Sequence, residues 1–216
     1  MDANNFRCDN AECGCHVTSF QWISEPLQAI YFESSKCCSS SIRNRLGIGT
    51  CNFGIEGVKF GKHKWTNLQG FKEDPERWAS YFKFGFVRNS WDKMVSVWAM
   101  YTTNESKMHT FSDFFGKPAQ EVTFKEFLYA IPAFKNHHWE LQTHMIPECV
   151  DFVGRFESFG ADWQAVCDRI GLVATIGRAN STAHRNFREY YTPELKSRVA
   201  ELYAPDIKRF GHEFGD

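Results

Sequence analysis

Arg88 and Ser96 stand in the segment Lys83 to Trp98, which reads KFGFVRNSWDKMVSVW. The run KFGFV reads as a buried strand, Arg88 as the head of the turn after it, and about Ser90 to Tyr101 as a helix. A guanidinium at a strand end grips a phosphate with its planar fork. On a helical wheel with Trp91 at zero, Trp98, Val95, Met94, Ala99 and Tyr101 fall on one broad apolar side. Asp92, Lys93 and Ser96 fall on the other, so Ser96 is expected on the solvent side, within reach of an anion held by Arg88. Asn89 is placed to cap the helix, with Asp92 in the reciprocal position. The plainer alternative is an arginine paired with Asp92 beside a solvated serine.

A second anion site lies upstream. QAIYF (Gln28–Phe32) reads as a short buried strand, ESSKCCSSS as a polar loop, and SIRNRL as the opening of a helix. Strand, small polar loop and helix start together make a phosphate cradle from backbone N–H groups and the helix dipole. Ser39, Ser40 and Ser41 add hydroxyls and Lys36 a point charge. The G-x-x-x-x-G-K-[ST] pattern is absent, which argues against ordinary Mg-ATP or GTP hydrolysis. Taken alone, a solvated serine-rich turn explains this loop better. Two anion sites on successive strand ends fit a nucleotide with phosphates at two places, such as 3′-phosphoadenosine 5′-phosphosulfate (PAPS).

The elements around these residues alternate. DFVGRF (Asp151–Phe156) is a third strand, and a helix follows from about Ala161 to Ile170, stopped by Gly171. DPERWASY from Asp74, with Asp74 as cap, Phe111–Phe115 and Thr123–Ala130 read as short helices, and Gly57–Phe60 as a short strand. Thr192, Pro193 and Glu194 open a last helix with an apolar stripe of Leu195, Val199, Leu202 and Tyr203. The expectation is an α/β fold whose mostly parallel sheet gathers ligands at the carboxyl ends of its strands.

With 216 residues, 43% of them hydrophobic, and 21 Phe, the chain is sized for one domain over residues 1–216, residues 1–25 being a mobile terminal segment. A formal net charge of −1 speaks against long nucleic acid as a partner. No apolar run is long enough to span a bilayer and the N-terminus lacks a signal-peptide pattern, so no membrane association and a cytoplasmic location are expected. Of 8 Cys, Cys8, Cys13 and Cys15 cluster with His16. A zinc site is the sharper reading there, but the spacing matches no common module, and reduced thiols in a mobile terminus are favoured.

Five blocks, in order from about Ala29 to the C-terminus, resemble the PAPS-dependent sulfotransferases of the carbohydrate-sulfotransferase-like branch, sulfotransferase family 2. ESSKCCSSSI resembles the family's 5′-phosphosulfate loop and FVRNSWDKMVSVW its 3′-phosphate motif. HHWELQ resembles its His-Trp-x-Pro-Gln block and FVGRFESFGADWQAVCDRIGL its Gly-Arg-Phe-Glu segment. REYYTPELKSRVAELYAPDIKRFGHEF resembles its C-terminal helix. Ser35 and Ser90 replace prolines of the pattern, and Cys37, Cys38 and Ser39 stand where glycine is usual, which makes any positive φ there costlier.

The resemblance implies a three-layer α/β sandwich with a P-loop-like phosphate-binding loop. It implies transfer of a sulfuryl group from PAPS to a hydroxyl or amine of a saccharide or small-molecule acceptor, leaving 3′-phosphoadenosine 5′-phosphate (PAP). Lys36 matches the lysine on the leaving phosphate, Ser39, Ser40 and Ser41 the 5′-phosphate cradle, and Arg88 with Ser96 the 3′-phosphate pair. No metal is required, because cations and amides hold the leaving phosphate. Histidine suits the base that removes the acceptor proton. His138 in HHWELQ ranks first, His137 is adjacent, and His63 precedes the second strand. Gln142 is read as orienting the base or the acceptor, and Arg155 with Glu157 as a structural bridge in preference to shaping the acceptor cleft. Ser181 and Arg185 in RANSTAHRNFR are candidates for a late segment that closes over the nucleotide. The competing readings are a catalytically silent nucleotide-binding protein and a small P-loop-type kinase. Oligomeric state is open.

Overall fold

The computed structural model describes residues 6–7, 16–17, 21–48, 65–67, 75–175 and 185–215. In chain order its elements are β1 (Phe6–Arg7), β2 (His16–Val17), β3 (Gln21–Ser24), β4 (Ala29–Phe32), α1 (Ser39–Leu46), β5 (Trp65–Asn67), α2 (Pro75–Ser80) and β6 (Phe82–Val87). Then follow α3 (Ser90–Thr103), α4 (Glu105–Phe115), α5 (Phe124–Ala130), α6 (Gln142–Met145), β7 (Phe152–Arg155), α7 (Phe159–Ile170), α8 (Pro193–Leu202) and α9 (Ala204–Phe210). Single 3-10 turns lie at Ala119–Glu121 and Phe187–Tyr190. The expected strand at 57–60 and the cap at Asp74 lie outside the described residues. Two compact units result, one drawn from Met1–Val87 and His144–Asn180, the other from Arg88–Thr143 and Ser181–Asp216.

The first unit holds the sheet. Among the described residues it has five strands in the order β5-β3-β4-β6-β7. β4, β6 and β7 run parallel, with Phe32 opposite Gly85 and Phe86 opposite Gly154. β3 joins β4 antiparallel, and β5 joins β3 the same way. β3 lies inside the stretch read as the terminal segment, and all four of its residues are buried. Parallel strands bury both faces, which is why β4 and β6 are nearly continuous apolar runs. On one face Tyr31, Phe84 and Phe86 meet Ile42 and Leu46 of α1 and Trp163, Val166, Cys167 and Ile170 of α7. The α7 positions repeat at helical spacing, and burying each large apolar side chain contributes about 1.5–3 kcal/mol. On the opposite face Phe32 meets Trp78 of α2 edge-on at 6.3 Å, and Gly85 faces Ile146. The unit is therefore three-layered, helix on sheet on helix, as the family resemblance implied.

Glu33, one residue past β4, ties three elements of this unit together. Its Oε2 accepts from Trp22 Nε1 on β3 at 3.0 Å, and Arg43 of α1 lies 3.8 Å from Oε1. Burial raises the Glu33 pKa; Arg43 and the hydrogen bonds from Trp22 and Ser39 oppose that without cancelling it.

The second unit is helical and built around α3. Nearly every side of α3 is buried, Ser96 being 2% and Lys93 0% exposed. The expectation of a solvent-facing Ser96 is thus overturned. A wheel drawn from one helix cannot see that α4, α5, α8 and the two 3-10 turns surround it. Lys93 satisfies its ammonium on the Glu140 carbonyl at 2.6 Å. Helix starts follow the sequence signals: Asn89 caps α3, Thr123 and Glu126 form a capping box on α5, and Thr192 with Pro193 opens α8.

Two measurements test this packing. A Cβ at Gly154 meets the Phe86 ring at 2.3–2.8 Å. That ring is wedged against Phe159 and Trp163. Gly154→Ala is expected to cost about 1–3 kcal/mol in urea unfolding, and a neutral result would contradict the close approach. For Glu33, a folded-state pKa above the unfolded value means its contribution is full below about pH 4.5 and falls as pH rises through the folded value. Urea unfolding of wild type against Glu33→Gln should therefore show the wild type losing ground as pH rises; the opposite trend refutes the assignment.

Candidate functional site

The loop between β4 and α1 takes an unusual backbone path. Lys36 has φ 67° and Cys38 φ 61°, both left-handed, and neither is a glycine. Such residues cost about 1–3 kcal/mol each and persist where the surroundings enforce them, often at ligand sites. Part of the enforcement is visible: Cys37, 1% exposed, packs into the apolar core, and its Sγ lies 3.4 Å from Ser34 Oγ and from the Ser35 carbonyl. The glycine-free loop thus adopts the turn that its sequence makes costly.

The turn delivers the chain into α1 earlier than expected. Ser39, Ser40 and Ser41 form the first helical turn, not the loop before it. The first helical bond runs from Ile42 N to the Cys38 carbonyl at 3.0 Å. The N–H groups of Ser39 and Ser40 precede that first helical bond, and the Cys38 side chain supplies no cap. The left-handed residues Lys36 and Cys38 lie directly ahead of these amides. The helix carries no acidic residue in its first turn. The Ser39 hydroxyl bonds to Glu33, and Lys36 is half-buried.

In the second unit Arg88 is 6% exposed. Its Nε and Nη2 both lie 2.8 Å from Asp92 Oδ2, one turn on. The plainer pairing weighed for this arginine is therefore present, and it fixes the direction of the guanidinium. Asp92 and Ser96, four residues apart, share one face of α3, and Arg88 stands just before the helix. Asn89 Oδ1 accepts from Trp91 N at 3.0 Å and its Nδ2 donates to the Glu213 carbonyl at 2.6 Å. Ser90, in the place of the family's proline, bonds His212 Nδ1 at 3.0 Å.

Sequence reasoning missed what holds Arg88. Gln142 Oε1 accepts the Arg88 N–H at 2.8 Å, and Gln142 Nε2 donates to the Arg88 carbonyl at 2.9 Å. Gln142 was expected to orient the base or the acceptor; instead its amide is spent on the Arg88 main chain. The only sequence signal was a glutamine in the HHWELQ block, and its partner lies 54 residues away.

His138 sits in a small polar cluster of the same unit. Its Nδ1 is 2.9 Å from Asn136 Oδ1 and 2.9 Å from Tyr101 Oη. Asn136 Oδ1 also accepts the His138 backbone N–H at 3.0 Å, and Asn136 Nδ2 donates to Tyr101 Oη at 3.2 Å. The oxygen of Asn136 therefore faces the ring, Nδ1 carries the proton, and Nε2 keeps the lone pair. Burial pushes the Tyr101 hydroxyl up to about 12, so it stays neutral. The exposed His137 ring lies 3.9 Å from that of His138. Neither Asn136 nor Tyr101 was singled out, although an Asn two residues before a His is a known local-bonding spacing.

The remaining candidates contribute less. Arg185 is exposed, ion-paired with Glu189 at 3.3 Å and set over the Tyr190 ring at 5.5 Å. His63, Ser181 and the clustered Cys8, Cys13 and Cys15 lie outside the described residues. Lys36 and the serines belong to the first unit; Arg88, Ser96 and His138 belong to the second.

A family model described as the sulfotransferase family, family 2, matches residues 23–213. No curated protein and no solved structure matches the chain. The matched region runs from β3 to the residues after α9 and takes in the α1 turn, Arg88, Ser96, His138 and Gln142. By that match over most of its length, the chain belongs to the sulfotransferase family.

Proposed function

We propose that this sulfotransferase takes its sulfuryl group from PAPS and passes it to a hydroxyl or amine of a saccharide or small-molecule acceptor. The observation that carries the reading is the uncapped start of α1 behind the left-handed residues Lys36 and Cys38. It offers amides and a lysine where a phosphate leaving group needs them. When bound, the donor supplies a sulfuryl group attached to that phosphate. The new sulfur–oxygen or sulfur–nitrogen bond forms as the bond to the 5′-phosphate oxygen breaks, and PAP departs.

Each residue has a defined task. Lys36 and the Ser39, Ser40 and Ser41 amides stabilise the charge that grows on the 5′-phosphate oxygen. Arg88 and Ser96 hold the 3′-phosphate, Arg88 turning from or sharing Asp92. His138 takes the acceptor proton on Nε2, because Asn136 keeps the proton of Nδ1 in place. The imidazolium then formed has its Nδ1–H already paired.

Binding and rate separate these tasks. Isothermal titration should show PAP binding more tightly than adenosine 5′-monophosphate (AMP), and Arg88→Ala should weaken PAP by about 10–100-fold. Lys36→Ala should lower transfer by about 10²–10³-fold with a small effect on PAP affinity. His138→Ala should lower transfer by about 10²–10⁴-fold and leave PAP affinity unchanged. Equal binding of PAP and AMP, or magnesium-dependent ATP turnover, would sink the donor assignment.

A further inference from the structure

We infer that Gln142, itself anchored by Asp206, is a positioning residue that sets the ligand preference of Arg88 without touching ligand. The inference rests on the reading of Arg88 as the 3′-phosphate ligand. Gln142 is wholly buried, and its amide matches both polar groups of the Arg88 main chain, the N–H at 2.8 Å and the carbonyl at 2.9 Å. One side chain thereby does what a neighbouring strand does with one rung of a ladder. Arg88 is the first residue after β6 and the last before the α3 cap, outside both regular elements.

Gln142 is fixed in turn. Asp206 of α9, 0% exposed, accepts from Gln142 N at 2.8 Å, Thr143 N at 2.8 Å and Gln142 Nε2 at 3.4 Å. Its carboxylate thus receives the first amides of α6 and aims the glutamine amide. The bond from Asp206 to Nε2 also selects the amide orientation that presents Oε1 to the Arg88 N–H. The guanidinium is then directed from two sides, by Asp92 on the side chain and by Gln142 on the backbone. Loosening the backbone grip takes a partner from a buried N–H and from a carbonyl and frees the base of the arginine to shift. The loss should fall on the ligand group that Arg88 holds and spare the rest of the nucleotide.

The test compares PAP with AMP, which lacks the 3′-phosphate, by isothermal titration on the full chain. Gln142→Met keeps the length and removes both bonds. It should weaken PAP by about tenfold and AMP by less than about twofold. Added to Arg88→Ala, it should change neither affinity further. Asp206→Asn, which preserves shape if Gln142→Met fails to fold, should weaken PAP selectively by about threefold. Equal losses for both ligands would show a merely structural role and overturn the inference. A PAP preference lost in Arg88→Ala but kept in Gln142→Met overturns the inference alone. A preference that survives Arg88→Ala overturns it together with the donor reading.

Discussion

The parallel pairing of β4 with β6 is the constraint from which the first unit follows. Parallel neighbours bury both faces, so each strand is nearly all apolar, with Lys83 of β6 satisfied on the Tyr81 carbonyl, and a helical layer must cover each side. Tyr31, Phe84 and Phe86 on one face select α1 and α7; Phe32 and Gly85 on the other take Trp78 and Ile146. The same pairing continues to β7, where the Phe86 ring leaves no room for a Cβ on Gly154. The glycine of the family's Gly-Arg-Phe-Glu segment thus has a packing cause. At the carboxyl end of β4 the chain must turn at once into α1. It does so through two left-handed residues while Cys37 holds the turn to the core.

In the second unit the polar side chains are held before any ligand arrives. Arg88 lies on Asp92 and is gripped by Gln142; Lys93, fully buried in the first turn of α3, lies on a carbonyl. His138 has its tautomer chosen by Asn136. Such arrangements avoid the reorganisation that a flexible surface cation would undergo on binding.

Much of this was legible in the sequence because it depends on local signals. The strands QAIYF, KFGFV and DFVGRF show as short apolar runs, and the caps Asn89, Thr123 and Thr192 as small polar residues before periodic segments. β3 was not legible: its four residues have both faces buried and show no alternation. α9 was not read from the sequence, where the apolar stripe of the last helix stops at Tyr203. Ser96 was misplaced because burial around α3 comes from partners distant in sequence. The grip of Gln142 on Arg88 and of Asp206 on Gln142 spans 54 and 64 residues, beyond any spacing rule.

The central claim is that this chain moves a sulfuryl group from PAPS. The most direct measurement incubates the purified protein with radiolabelled PAPS and a panel of saccharide and small-molecule acceptors, and follows label and nucleotide together. The account predicts label on an acceptor in step with PAP release, and loss of both in Lys36→Ala. PAPS left intact with every acceptor, while the protein still binds PAP, would contradict it.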